Sequence, residues 1–251
     1  MSILLIHGVG GRPRSWDMVL GHLDPGLRRQ AHAVDVTVSA GQSVAAVARV
    51  IMAKHPGSHV LVGHSFGGMI AQEIALTDPT RVRALVLVST IPGATERVAG
   101  INRVLADAIE ERGLDAVAEG FGAGLFAPGR LTGSPWLGTS FVADMLDAGA
   151  TSVCAALRAI AEWDAANRLP RLRCPATVLA GDAEVDLDRQ ALLAKLLGGS
   201  LQVLGDTGHL APLEAPAEVA RAITELTTAV TLADGSRRSP FSASEEPLAV
   251  E

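Results

Sequence analysis

The 251-residue chain has no tyrosine, only three tryptophans and only five phenylalanines. Without a phenol, every mechanism that uses tyrosine as acid, base, nucleophile or oxyanion donor is excluded. So few rings also argue against a stacking platform for single-stranded nucleic acid. Lysine is scarce as well: Lys54 and Lys195 are the only two among 21 basic residues, which disfavours Schiff-base chemistry. Two cysteines, Cys154 and Cys174, are too few for a disulfide framework and read as two buried thiols of a reducing cytoplasm. Positive charge is in deficit, with a net charge of −6, so nucleic acids and anionic membranes are not expected partners. No apolar run approaches the ~18 residues of a membrane span, and the short apolar run at the start lacks a basic flank. The expectation is a cytoplasmic protein. What the chain does have is apolar bulk: 48% of residues are hydrophobic and 19% charged, enough for a sizeable core.

Short apolar runs that end at glycine or polar residues suit buried strands of a parallel sheet, here Ile3 to Ile6, His59 to Val62, Val82 to Val88, Ala176 to Ala180 and Leu201 to Leu204. The β-branched stretch Ala31 to Val38 reads as a further strand. Between them lie helical patterns: Ser15 to Leu23 with Ser15 as N-cap, Gln42 to Lys54, Met69 to Leu76, Asp188 to Leu197 and Ala215 to Leu226. This alternation predicts an open, mainly parallel sheet of about six strands with helices on both faces. It breaks off between residues 92 and 169, where only helical patterns and a Gly/Pro-rich stretch, Gly120 to Gly138, occur. The expected organisation is a core of residues 1–91 and 170–228, a helical cap at 92–169, and a disordered tail at 229–251.

The sharpest chemical signal is Gly63-His64-Ser65-Phe66-Gly67, a G-x-S-x-G motif between a strand and a helix that starts at once. A serine on so tight a turn needs neighbours with almost no side chain, and its hydroxyl then projects above the sheet edge beside a helix N-terminus. Serine is a weak nucleophile without a base. Of seven histidines, His209 lies on the loop after the last strand, at the carboxyl edge where such sheets meet ligands. His64 is expected to point away and pack, and His22, His32, His55 and His59 to be structural. A base of this kind needs a carboxylate to orient it. Asp182, Glu184, Asp186 and Asp188 crowd the loop after Ala180, and one of them is the candidate.

In these pieces the chain resembles the α/β-hydrolase superfamily: His7-Gly8-Val9-Gly10, the Ser65 elbow, the helical segment, the loop after Gly181, and Gly208-His209, in the order serine, acid, histidine. The resemblance runs to about Leu226. It implies the α/β-hydrolase fold and places the acid three residues after the strand-ending glycine, at Glu184. Aspartate is commoner there and the loop is about three residues short, which keeps Asp186 as a rival and Asp182 as a weaker one. It also implies an oxyanion hole from the backbone N–H groups of Val9 and Phe66. The chain opens directly on its first strand, so the N-terminal β-hairpin usual in similar proteins is expected to be missing.

The expected function is a serine hydrolase acting on a carboxylic ester, thioester or lactone of a small apolar molecule through an acyl-enzyme, with no metal or cofactor. Serine at position 65 disfavours dehalogenase and epoxide-opening chemistry, and the missing tyrosines weigh further against the latter. Leu210 stands where plant-type hydroxynitrile lyases carry lysine. A cofactor-free lyase or oxygenase on the same scaffold, or a small-molecule receptor, remain the alternatives. Arg12 and Arg14 flank the His7 loop and are either solvated or placed to meet a substrate carboxylate. The scarce rings concentrate near the expected site: Trp16, Phe66, Phe121, Phe126, Trp136, Phe141 and Trp163, with only Phe241 elsewhere. Of these, Trp16, Phe121, Phe126, Trp136 and Phe141, with Leu210, are the expected substrate wall.

Overall fold

The computed structural model describes residues 1–237. Six strands, β1 (Ser2–Ile6), β2 (Ala31–Val34), β3 (His59–His64), β4 (Val82–Val88), β5 (Ala176–Gly181) and β6 (Ser200–Leu204), form one sheet in the order β2-β1-β3-β4-β5-β6. Every pairing is parallel. The central strands β3 and β5 are buried along their whole length, which is why they read as continuous apolar runs rather than alternating ones.

Helices cover both faces. In chain order the first four are α1 (Asp17–His22), α2 (Pro25–Arg28), α3 (Val44–Lys54) and α4 (Phe66–Thr77). Five more follow β4 without an intervening strand: α5 (Glu96–Arg112), α6 (Leu114–Ala123), α7 (Arg130–Gly133), α8 (Pro135–Ala148) and α9 (Ala150–Glu162). The last three are α10 (Leu187–Leu197), α11 (Ala211–Glu214) and α12 (Pro216–Arg237). One apolar core packs α3, α4, α9 and α10 on one face of the sheet, and a second packs α1 and α12 on the other. A third joins α5, α6, α8 and α9 to Leu210 and Val9, so the helical insertion shares its core with two strand-end loops. Among the described residues no single helix is long and apolar enough to cross a membrane; α8 and α9 meet that test only jointly, across a 96° bend.

Local structure departs from the sequence pattern at several points, each with a physical cause. Pairing in β2 stops at Val34, not Val38: beyond it the Val36 N–H donates to His7 Nε2 (3.0 Å) and the Val38 N–H to Ser152 Oγ (3.0 Å), so side chains replace the ladder. Ser15 does not cap a helix. It sits in a 3₁₀ turn (Pro13–Trp16), where its Oγ accepts from the Arg12 N–H and donates to Asp144, and α1 starts two residues later. Most of the Gly/Pro-rich stretch is helical, in α6, α7 and the start of α8: α6 runs through Gly120 and Gly122, and Gly122 leaves room for the ring of Phe141, which a Cβ would meet at 2.8 Å. Residues 229–237, expected in a disordered tail, instead continue α12 to Arg237, with Val230 buried against the second core. The rest of that segment, with Phe241, lies outside the described residues.

Candidate active site

Ser65 closes β3 and opens α4 with φ 52° and ψ −118°, a left-handed conformation that non-glycine residues rarely adopt. The turn is possible only because its flanks are bare. A Cβ on Gly63 would run into the Gly67 carbonyl, and one on Gly67 into the carbonyl of Ile6 on the neighbouring strand. The Ser65 carbonyl is anchored by the hydroxyl of Thr90 at 2.7 Å. As the first residue of α4, Phe66 has an N–H with no carbonyl one turn earlier within the helix to bond.

Around Ser65 the strand-end loops converge. Its Oγ lies 2.9 Å from His209 Nε2, and His209 Nδ1 lies 2.9 Å from Glu184 Oε2. The carboxylate of Glu184 is held by two further donors, the Gly181 N–H (2.9 Å) and the amide of Gln190 (2.8 Å). Asp186 instead pairs with Arg97 of α5, and Asp182 accepts from the Thr207 N–H (3.2 Å). Of the crowded carboxylates, Glu184 is therefore the one that meets the histidine.

Electrostatics follow from these contacts. Burial works to raise the Glu184 pKa, but the hydrogen bond and charge of His209 and the Gly181 N–H outweigh it, leaving it below the ordinary value. Burial likewise works against a charged His209, yet Glu184 first, then Asp186 and Glu214, carry its pKa above the ordinary value. His64 has no such carboxylate partner: burial, and the neighbouring His209, push it down to about 3. It is neutral, and its Nε2–H donates to the His209 carbonyl at 2.8 Å. His7 is also buried and lowered, chiefly by desolvation. Its Nδ1–H donates to the Gly8 carbonyl (2.9 Å) while Nε2 accepts from Val36, which ties the His7-Gly8-Val9 loop to the end of β2.

A cavity of about 270 Å³ opens over Ser65 and His209. Phe121, Phe126, Phe141 and Leu210 line it, as does Val9. The tryptophans do not. Trp16 is fully buried in the core on the α1/α12 face, Trp136 is 54% exposed on the outside of α8, and Trp163 packs on the other face with its indole N–H on Glu73 (3.0 Å). The ring of Phe66 is likewise core and does not line the cavity. The expected ring-rich wall thus reduces to three phenylalanines, Phe121, Phe126 and Phe141. Arg12 and Arg14 do not face the cavity. Arg12 pairs with Asp35 (2.9 Å) and Asp147 (3.2 Å), and Arg14 with Asp144 and Asp147, binding the loop after β1 to α8.

Three residues at the site carried no signal in the sequence reading. Gln190 is buried beside Glu184; it lies six residues beyond it, one turn into α10. Arg97 of α5 pairs with Asp186, the rival acid of the sequence, and both line the cavity. Glu214, five residues after His209, is buried with its carboxylate on two backbone N–H groups. His55 and His59 stand four residues apart, but the His59 ring is engaged by Ser2 and by the His55 carbonyl. Among the described residues no group of three or more His, Cys, Asp or Glu is placed to hold a metal ion.

The family model described as "Alpha/beta hydrolase family" matches residues 3–222. The pimeloyl-[acyl-carrier protein] methyl ester esterase of Yersinia enterocolitica is 32% identical over 97 residues, covering 36% of this chain and 37% of that protein. The 3-oxoadipate enol-lactonase 2 of Acinetobacter baylyi is 27% identical over 157 residues, 61% of this chain and 58% of that protein. The chain thus matches less than two thirds of the length of either relative. In overall shape it is similar to a thermophilic esterase from Thermogutta terrifontis, solved with malate bound, with a TM-score of 0.79, 24% identity, and coverage of 92% of this chain and 90% of that one.

Proposed function

The chain belongs to the alpha/beta hydrolase family, and from that premise we propose that it hydrolyses a carboxylic ester, thioester or lactone of a small apolar molecule through an acyl-enzyme. The observation that carries this reading is the unbroken line Ser65 Oγ, His209 Nε2, His209 Nδ1, Glu184 Oε2, with 2.9 Å at each contact. Residues 1–91 and 170–228 serve as the catalytic core, and the helices of 92–169 as a cap that roofs the cavity.

In this mechanism the Ser65 oxygen attacks the carbonyl carbon while its proton passes to His209 Nε2. Glu184 keeps the imidazole in the Nδ1–H tautomer and stabilises the imidazolium. The developing oxyanion is met by the N–H groups of Phe66 and Val9, donors of a kind worth ~3 kcal/mol of barrier each. His209 then returns its proton to the leaving alkoxide or thiolate. A water activated by the same nitrogen releases the acid and restores Ser65. The apolar lining of Phe121, Phe126, Phe141 and Leu210 suits a hydrophobic acyl group, and it disfavours a highly charged substrate. The similarity to an enol-lactonase and to a methyl ester esterase supports ester and lactone substrates first.

The test is turnover of short p-nitrophenyl esters, acyl thioesters and lactones by wild type and Ser65→Ala. The expected result is a burst of product followed by steady turnover in wild type, with a loss on the order of a thousandfold or more in the variant. Full activity in Ser65→Ala overturns the nucleophile. Tight binding of such molecules by wild type without turnover favours a receptor instead.

A further inference from the structure

Glu214 belongs to no step of the mechanism, yet its side chain is fully buried and its two oxygens are divided between two separate segments. Oε1 accepts from the N–H of Gly208 at 3.1 Å, next to His209 on the loop after β6. Oε2 accepts from the N–H of Ala127 at 2.9 Å, on the segment between α6 and α7 of the helical insertion. The two segments are already in close contact. The His209 N–H donates to the Leu125 carbonyl at 2.7 Å, and a Cβ on Gly208 would lie 2.5 Å from the Ala127 nitrogen. Leu125 and Phe126, on the same segment, line the cavity over Ser65. Arg130 at the start of α7 completes the arrangement, with its guanidinium 3.5 Å from Glu214 and hydrogen-bonded to the Asp206 carbonyl.

A buried carboxylate is costly unless its lone pairs are filled. Here they are filled by two backbone N–H groups 81 positions apart in the chain, numbered 127 and 208. Neither segment belongs to a sheet or to a regular helix that would otherwise fix its height above the strand ends.

We propose that Glu214 is a positioning residue that clamps the cavity-wall segment 125–130 to the loop carrying His209, so that the wall and the base move as one unit. This rests on the reading of His209 as the general base. Without the clamp, closure of the insertion over a substrate is no longer coupled to the placement of His209 against Ser65. The charged and titratable groups around His209 are Glu184 and Asp186 from the acid loop, Glu214 from α11 and His64 from β3, with Arg97 and Arg130 paired to Asp186 and Glu214.

Glu214→Gln and Arg130→Gln separate this role from mere stability. The glutamine keeps the size of Glu214 but offers one acceptor where two N–H groups need one each, and it removes a negative charge near His209. Arg130→Gln leaves both N–H bonds and strips the cation from Glu214. Each protein is titrated by NMR at the His209 ring, and kcat/KM is measured against pH. The expected result is a fall in kcat for Glu214→Gln on the order of tenfold, with KM changed less. Its His209 midpoint and the acid limb of kcat/KM move down by about half a pH unit, while those of Arg130→Gln move up. Opposite shifts place both charges beside His209, and a kcat fall in Glu214→Gln that is absent from Arg130→Gln, which keeps both N–H bonds, supports the clamp. Midpoints that stay at the wild-type value in the folded variants overturn it, whatever the change in Tm, and if Glu214→Gln does not fold the direction in Arg130→Gln decides. The NMR titration needs no turnover, so a failure of the hydrolase reading shows separately, as wild-type activity that Ser65→Ala does not reduce.

Discussion

The imidazole of His64 donates from Nε2 to the backbone carbonyl of His209 at 2.8 Å, across 145 positions of chain. The residue immediately before the candidate nucleophile thus holds the main chain of the candidate base. The two rings lie 5.4 Å apart and tilted by 50°, so one is a scaffold and the other faces the serine. The difference in their partners sets the difference in their charge. His209 has Glu184 against it and is raised, whereas His64 has only a carbonyl and burial and is lowered to about 3.

This arrangement makes stability depend on pH with a definite sign. Between about 3 and the ordinary value of 6.5, the unfolded chain takes up a proton at His64 that the folded protein refuses. The His64 contribution is therefore complete above 6.5 and is lost as pH falls toward 3. His209 acts in the opposite sense: its raised pKa adds stability that is present below 6.5 and fades as pH rises through the folded value. Urea unfolding across about pH 4 to 8 is expected to show wild type losing stability steeply on the acid side. His64→Gln, which keeps a donor but cannot titrate, should flatten that loss. An equal acid slope in both proteins would mean that His64 is charged in the folded state.

The choice of acid gives a second prediction. Glu184 touches His209, and Asp186 touches Arg97. Glu184→Gln puts an amide where a carboxylate stabilises the imidazolium, and kcat should fall on the order of a hundredfold to ten-thousandfold. Asp186→Asn should leave kcat within about threefold, because it weakens an ion pair half open to solvent. The reverse ranking in steady-state kinetics moves the acid to Asp186.

How much of this was legible beforehand depends on the range of the interaction. The strands β1, β3, β4 and β5 were written in local composition, since a strand buried on both faces must be apolar throughout. Ser65 was legible for the same kind of reason: its turn forces glycine at fixed offsets, and Gly63 and Gly67 are local marks of a backbone clash. Gln190 and Glu214 left no such mark. Each is an ordinary polar residue on a helix, and what distinguishes them is a partner brought close only by tertiary folding. The tryptophans were misplaced because position in the insertion does not say which face of a helix a ring occupies. Trp136 and Phe141 share α8, five residues apart, and one is exposed while the other is buried.

That contrast gives a third prediction. Phe141→Ala removes a ring that lines the cavity and packs near Phe121, with centroids 6.3 Å apart. It should lower stability by about 3 kcal/mol and raise KM for longer acyl esters more than for acetates. Trp136→Ala should change neither by more than experimental error, since its ring lies on the outer face of α8. A selective KM effect in Trp136→Ala would place that residue on the substrate path after all.

Glycine substitutions test the elbow itself, with a built-in control. At Gly67 an added Cβ would meet the Ile6 carbonyl and, at 2.6 Å, that of His7, main-chain atoms at the end of β1 and just beyond it that cannot withdraw without disturbing the sheet. Gly67→Ala is expected to yield no folded protein, or a Tm lowered by more than about 10 °C with activity lost. Gly100 lies inside α5 with nothing within 4 Å of its missing Cβ. There alanine only restricts the unfolded chain and favours the helix, so Gly100→Ala should raise stability by about 0.5–1 kcal/mol and leave kcat/KM unchanged. Thermal unfolding of the two variants side by side reads both effects. A Gly67→Ala protein with wild-type Tm would show that α4 can draw back from β1, and that the packing around Ser65 is looser than the contact between Gly67 and Ile6 requires.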